Sequence, residues 1–198
     1  RIPFAGLLKP VFKDEARRLL MYEHLIFDYF DKHSIISEEE RLLIYHQKRE
    51  DITVVGNGID TSFFSPQSKS KTYDIIFVGN MSYAPNVAAV KYLVEEIMPY
   101  LNGVKILIAG ASPSKDVLKL ESKDVTITGW IEDIRDAYSD AKIFVAPLFI
   151  GTGLQNKLLE AMSMELPCIT TDLVNNSLKA KDGVELELAN SAEEFSKQ

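Results

Sequence analysis

Cysteine is almost absent from this chain: one residue, Cys168, in 198. A single thiol rules out an intramolecular disulfide framework and fits a reducing compartment. Its setting in the apolar run Pro167-Cys168-Ile169 marks it as a packed thiol rather than a reactive one. No stretch approaches the roughly 20 apolar residues that a membrane-spanning helix requires. Positive charge is not in excess: 22 Lys and Arg stand against 29 Asp and Glu, a net charge of −7. With no basic cluster interleaved with aromatics, this argues against nucleic acid as a partner. Histidine is scarce, and His24, His33 and His46 read as surface or packing residues. No pair of His, Cys or carboxylate residues has a metal-ligand spacing, so no metal is expected. The start, Arg1-Ile2-Pro3-Phe4, carries no methionine and no signal-peptide plan, and the chain is expected to be part of a longer protein.

What is present is a hydrophobic content of 46%, enough for one substantial core. Residues 11–30, VFKDEARRLLMYEHLIFDYF, lack Gly and Pro. Leu19, Tyr22, Leu25, Ile26 and Tyr29 recur there at helical spacing. A short strand is expected at 32–36. Ser37 followed by Glu38, Glu39 and Glu40 reads as a capping box opening a helix to about Gln47. Another strand is expected at 51–55, then a turn at Gly56-Asn57-Gly58-Ile59-Asp60 and a polar linker from Ser65 to Thr72. Beyond it the pattern is regular. Apolar runs at 74–78, 104–109, 125–128, 142–146 and 167–170 alternate with helical stretches at 86–98, 113–120, 131–138 and 154–164. Strands alternating with helices predict an α/β fold, a parallel sheet with helices on both faces.

Ligands of such sheets sit at the carboxyl ends of the strands. The residues there are Gly79-Asn80-Met81, Gly110-Ala111-Ser112, Gly129-Trp130-Ile131 and the stretch from Pro147 to Gly153. Any one glycine is explained by a tight turn, but four at successive strand ends point to a pocket. VGNMSYAPN holds one glycine, so the G-x-G-x-x-G dinucleotide fingerprint is missing, as is a Walker A loop. GTGLQNKLLEAM, residues 151–162, reads instead as a glycine turn running into a helix, which presents bare N–H groups to an anion. Lys157 and Glu160 share a face of that helix. The lysine can neutralise a diphosphate and the carboxylate can accept from vicinal hydroxyls, whereas the plain alternative is a surface ion pair. Gln155 and Asn156 are secondary candidates. Trp130 is expected as a half-buried loop aromatic whose backbone edges a base site.

Several motifs together carry a resemblance. They are Val55-Gly56-Asn57-Gly58-Ile59-Asp60 with Phe64 and Pro66, FVGNMSYAPNVAAVKYLVEEIMPYL, ILIAGASP, and VTITGWIEDIRDAYSDAKIFVAPLFIGTGLQNKLLEAMSMELPCITT. Over residues 52–172 the chain resembles the retaining GT-B glycosyltransferases of family 4. The resemblance implies a Rossmann-like C-terminal half of a GT-B fold with a remnant of the N-terminal domain. It assigns 1–55 to the tail of the acceptor domain, 56–72 to an interdomain linker and 73–198 to the nucleotide-sugar domain. Donor contacts fall on Gly79, Asn80, Gly110, Gly129, Trp130, Ile131, Gly151, Thr152, Gly153, Leu154, Lys157 and Glu160, with Glu160 on the ribose. Two positions depart from the family pattern. Thr152 stands where a first glutamate is common, and Asn80 where a basic residue is. The second departure shifts the phosphate role toward Lys157.

The implied activity is transfer of a hexose from a nucleoside-diphosphate sugar, UDP- or GDP-hexose, to an acceptor hydroxyl with retention. No tightly bound cofactor is implied. The acceptor is a glycan, a lipid-linked saccharide or a small molecule, and the implied location is cytoplasmic, with peripheral contact at the inner membrane face left open. A fragment of this extent is expected to bind donor and to be inactive alone. A GT-B epimerase and a non-catalytic nucleotide-binding or scaffolding module stand as alternatives.

Overall fold

Near-continuous β-branched runs become the inner strands of one sheet, because parallel strands joined by helical crossovers are buried on both sides. The computed structural model describes residues 5–151 and 153–198, with side chains from residue 8 onward. The chain divides into two compact units, Arg1–Gly56 and Asn57–Gln198.

In the first unit, helix α1 (Ala5–Phe27) is followed by strand β1 (Ser34–Ile35), helix α2 (Glu38–Leu43) and strand β2 (Thr53–Val54). β1 and β2 pair in parallel through Ser34 with Thr53 and Ile35 with Val54. Ser37 caps α2 by accepting from the Glu40 N–H at 3.2 Å. The helix stops at Leu43 rather than near Gln47, since Ile44 is extended. Around Phe27 a small aromatic stack forms, with the rings of His33 and His46 at 3.8 and 3.9 Å. Two of the three histidines are thus packing residues. The apolar stripe expected on α1 is only partly used. Leu19, Tyr22, Leu25 and Tyr29 are exposed, while Phe27 is buried. A two-residue ribbon and a six-residue helix offer too little surface to cover 23 helical residues.

The second unit holds β3 (Tyr73–Val78), α3 (Ala84–Tyr92), β4 (Ile106–Ala109), α4 (Lys115–Leu118), β5 (Val125–Gly129) and α5 (Ile134–Ser139). There follow β6 (Ala141–Ala146), α6 (Asn156–Ser163), β7 (Cys168–Thr170), α7 (Asp172–Leu178), β8 (Glu187–Leu188) and α8 (Ala192–Lys197). The six strands are parallel in the order β5-β4-β3-β6-β7-β8. This is the doubly wound arrangement whose order reverses between β3 and β6. Right-handed crossovers place α3 and α4 on one face and α6 and α7 on the other. The α3 helix continues through a π turn, Leu93–Ile97, and α8 returns against it.

The core is the inside of this sheet, with Ile76, Phe77, Ile106, Ile108 and Phe144 at 0% exposure and Leu158 and Ala161 of α6 pressed onto it. The segment after Asn57 also packs on this unit. The Phe64 carbonyl accepts from Ser163 Oγ, and the Arg135 guanidinium lies 3.9 Å over the Phe63 ring. Among the described residues no helix is long and apolar enough to cross a membrane.

Candidate functional site

The reversal of strand order makes α3 and α6 leave the sheet on opposite faces, and the gap outside the ends of β3 and β6 is where such folds hold ligands. Glycine is obligatory at one place on this edge and makes room at a second. A Cβ on Gly110, at φ +138, would lie 1.9 Å from the Gly79 carbonyl oxygen. The glycine therefore lets the ends of β3 and β4 close on each other, a packing reason independent of any ligand. A Cβ on Gly79 would lie 2.7 Å from Asn86 Nδ2 and 3.2 Å from Lys157 Nζ. Here the missing side chain makes room for two polar groups from opposite helices.

Lys157 sits in the first turn of α6, half-buried, with its ammonium brought back over the sheet edge. Nζ donates to Asn86 Oδ1 at 2.5 Å and lies 4.9 Å from the centre of the Phe77 ring. Burial pushes its pKa down from 10.5 to about 8, against the pull of the Glu160 carboxylate. Glu160 goes elsewhere: its Oε2 accepts from the Tyr138 hydroxyl at 2.8 Å. The same hydroxyl lies 3.1 Å from the Lys157 carbonyl, and the Tyr138 side chain is fully buried. Burial, then the adjacent Glu160 carboxylate, drive the phenol's pKa well up, so it stays a donor. Lys157 and Glu160 thus take separate partners and do not pair along the helix as the surface alternative required.

The helix begins at Asn156, two residues later than its apolar pattern suggested, because Gln155 is extended at φ −95 and ψ 101. Gln155 makes no cap hydrogen bond; its amide reaches back to the Gly153 carbonyl at 3.4 Å. Asn156 Oδ1 accepts from Asn57 Nδ2 at 3.0 Å. Gly151 and Gly153 adopt φ of +116 and +83, and Leu154 is half-buried. Thr152 lies outside the described residues.

Asn80 uses its side chain locally, accepting from the Ser82 N–H and hydroxyl at 2.9 and 2.8 Å. Gly129, Trp130 and Ile131 lie at the end of β5, the edge strand, two strands from β3. Trp130 is 72% exposed rather than half-buried; it follows β5, an edge strand with no further strand paired to its outer side among the described residues. Cys168 is buried, donates to the Leu166 carbonyl at 3.2 Å and is pushed up to about 12 by burial, an inert thiol. Among the described residues no group of three or more His, Cys, Asp or Glu could hold a metal.

Asn86 and Tyr138, which hold the two charged side chains, were not among the sequence candidates. Asn86 follows Pro85 and precedes the apolar run Val87-Ala88-Ala89-Val90, and a polar residue set against that run is the signal that could have found it.

Residues 72–198 match the family model described as glycosyl transferases group 1. No curated protein matches the chain. Among solved structures, sucrose-phosphate synthase from Thermosynechococcus elongatus is similar at TM-score 0.73 and 18% identity, covering 90% of this chain and 50% of that one. HepE from Anabaena, solved with UDP and glucose, is similar at TM-score 0.72 and 12% identity, over 90% of this chain and 55% of that one. A TarM mutant from S. aureus, solved with fondaparinux, alpha-GlcNAc-glycerol and UDP, gives 0.69 and 17% over 86% of this chain and 37% of that one. The chain therefore spans between about a third and just over half of the length of these structures, whose fold in this region, the GT-B glycosyltransferase fold, it shares.

Proposed function

The chain belongs to the glycosyl transferases group 1, and on that premise we propose that it is the donor-binding part of a retaining enzyme that transfers a hexose from UDP- or GDP-hexose. The acceptor hydroxyl belongs to a glycan, a lipid-linked saccharide or a small molecule, and the reaction takes place in the cytoplasm. Residues 73–198 form the donor domain.

One observation carries this reading. A half-buried lysine, with no ion pair among the described residues, projects into the gap at the strand-order reversal, over a glycine that leaves room for it. A buried ammonium beside a neutral amide is a site for an anion, and the bare start of α6 adds aligned N–H groups on the same side. Lys157 and the backbone of Gly151 and Gly153 take the diphosphate. Glu160, with one oxygen held by Tyr138, offers the other to the ribose hydroxyls. Gly129 to Ile131 edge the base. In the reaction the anomeric C–O bond breaks with its electron pair going to the β-phosphate oxygen, where Lys157 and the N–H groups stabilise the charge. The acceptor hydroxyl forms the new C–O bond on the same face of an oxocarbenium-like sugar, and its proton passes to the departing phosphate.

Titration calorimetry of the chain with UDP, GDP and their hexose derivatives tests the reading. One of the diphosphates binds, and Lys157→Met and Glu160→Ala each weaken it by tenfold or more. A folded chain that binds none of them overturns the assignment.

A further inference from the structure

Asn86 is 5% exposed, one of five buried polar side chains among the described residues, and it does not cap or terminate its helix. It spans the gap instead. Its Nδ2 donates to the Asn80 carbonyl at 2.9 Å, on the loop leaving β3, and its Oδ1 accepts from Lys157 Nζ on α6. One side chain therefore ties together the two segments that diverge from the strand-order reversal. Both ends of the amide are committed, which fixes its orientation, because only the oxygen can face an ammonium and only the NH2 can face a carbonyl. Gly79 lacks the Cβ that would collide with this bridge.

The identity of the residue matters electrically. An aspartate of the same shape would also hold the ammonium but would cancel its charge. An amide orients the cation and leaves the charge for a ligand. Resting on the donor-binding reading above, we propose that Asn86 is the positioning residue of the diphosphate subsite: it holds the Lys157 ammonium over Gly79 while keeping that charge unneutralised for the donor's phosphates.

The proposal predicts a loss confined to the phosphates and transmitted through Lys157. The test titrates the chain and its Asn86→Asp, Asn86→Ala, Lys157→Met and Asn86→Ala/Lys157→Met variants with UDP and GDP. The matching nucleosides, uridine and guanosine, are followed by ligand-observed NMR, and circular dichroism confirms the fold of each variant. Asn86→Asp, isosteric, keeps the acceptor for the Lys157 ammonium and gives up the donation to the Asn80 carbonyl; it is expected to weaken the bound diphosphate by tenfold or more and leave the nucleoside unchanged. The double variant is expected to lose no more than Lys157→Met alone, the non-additivity that marks one residue acting through another.

Wild-type affinity retained by Asn86→Asp, or equal losses for nucleotide and nucleoside, overturns the positioning role and leaves the donor site standing. Additive losses in the double variant overturn it as well. A wild-type chain that binds neither UDP nor GDP removes the donor reading itself, a separate result from any of these.

Discussion

The helices of the second unit fall into two groups. α4, α5, α7 and α8 each start on a side chain that accepts from the first turn: Ser114 from the Val117 N–H, Asp133 from Arg135, Thr171 from Val174 and Ser191 from Glu194. α3 and α6 have no such cap among the described residues; Tyr83 and Gln155 stand at the cap positions without a side-chain bond. These two are the helices that leave β3 and β6, the strands between which the order reverses. An N-cap is ordinarily worth about 1 kcal/mol, because it satisfies one of the N–H groups a helix start leaves bare. At α3 a proline in the first turn relieves part of that need, since it has no N–H to satisfy. At α6 nothing does. The difference separates places where the chain has spent its polar groups on its own stability from the one proposed above to keep them for a ligand.

The largest expected effect comes from closing the open edge sterically. Gly110→Ala puts a methyl 1.9 Å from the Gly79 carbonyl at a φ of +138 that side chains avoid. Because the clash is with backbone, β3 and β4 must part, and a loss of about 3 kcal/mol or more is expected in denaturant unfolding. Gly183→Ala, at φ +69 with nothing near the new Cβ, is the control and is expected to cost about 1 kcal/mol. Equal losses at both positions would remove the claim that this strand edge is held by backbone contact.

The next effect separates Lys157 from the ordinary surface lysines. Its pKa is about 8 in the folded chain and 10.5 when unperturbed. Below pH 8 it is charged in both states and burial penalises the native form in full. Between pH 8 and 10.5 the unfolded chain binds more protons, so stability rises with pH across that window, by about 3 kcal/mol in total. Cys168 works the other way from pH 9 upward, because its thiol ionises in the unfolded chain and stays protonated in the native one. The quantity to measure is therefore the pH dependence of wild type minus that of Lys157→Met, by urea unfolding from pH 7 to 10.5. The difference should climb with pH; a flat difference would mean that the ammonium is not desolvated.

The contrast between the two groups of helices also explains what could be read from the sequence. The runs that became β3, β4 and β6 were legible because a buried parallel strand needs continuous β-branched and aliphatic residues, as in Ile75-Ile76-Phe77-Val78. The cap residue of α2 and the positive-φ glycine turn before α6 were legible for local reasons. α7, β8 and α8 were not. Their sequences, DLVNNSL, EL and AEEFSK, are short and mostly polar, and they take their form from Thr171 and Ser191 and from pairing with β7. The extent of α1 beyond its apolar stripe, back to Ala5 through Pro10, also escaped the pattern. Within the site, Lys157 and Glu160 could be placed on one face by spacing alone. Their partners, Asn86 and Tyr138, lie 71 and 22 positions away, and no periodicity reports a contact that only the sheet creates.

The smallest effect bears most directly on the contrast. Installing a cap where α6 lacks one, by Gln155→Asp, gives the bare first-turn N–H groups an internal acceptor and places a negative charge at the positive end of the helix dipole. It is expected to stabilise the chain by about 0.5–1 kcal/mol. The same carboxylate competes with a phosphate for the same N–H groups and the same lysine, so UDP or GDP affinity should fall as stability rises. Removing a cap elsewhere, by Ser191→Ala at α8, should cost about 1 kcal/mol and leave nucleotide affinity alone. Thermal unfolding and nucleotide titration on the two variants give opposite signs in stability and a change in affinity for only one. A Gln155→Asp chain that gains stability and still binds the diphosphate at full strength would show that the open start of α6 is a defect of capping and not part of the site.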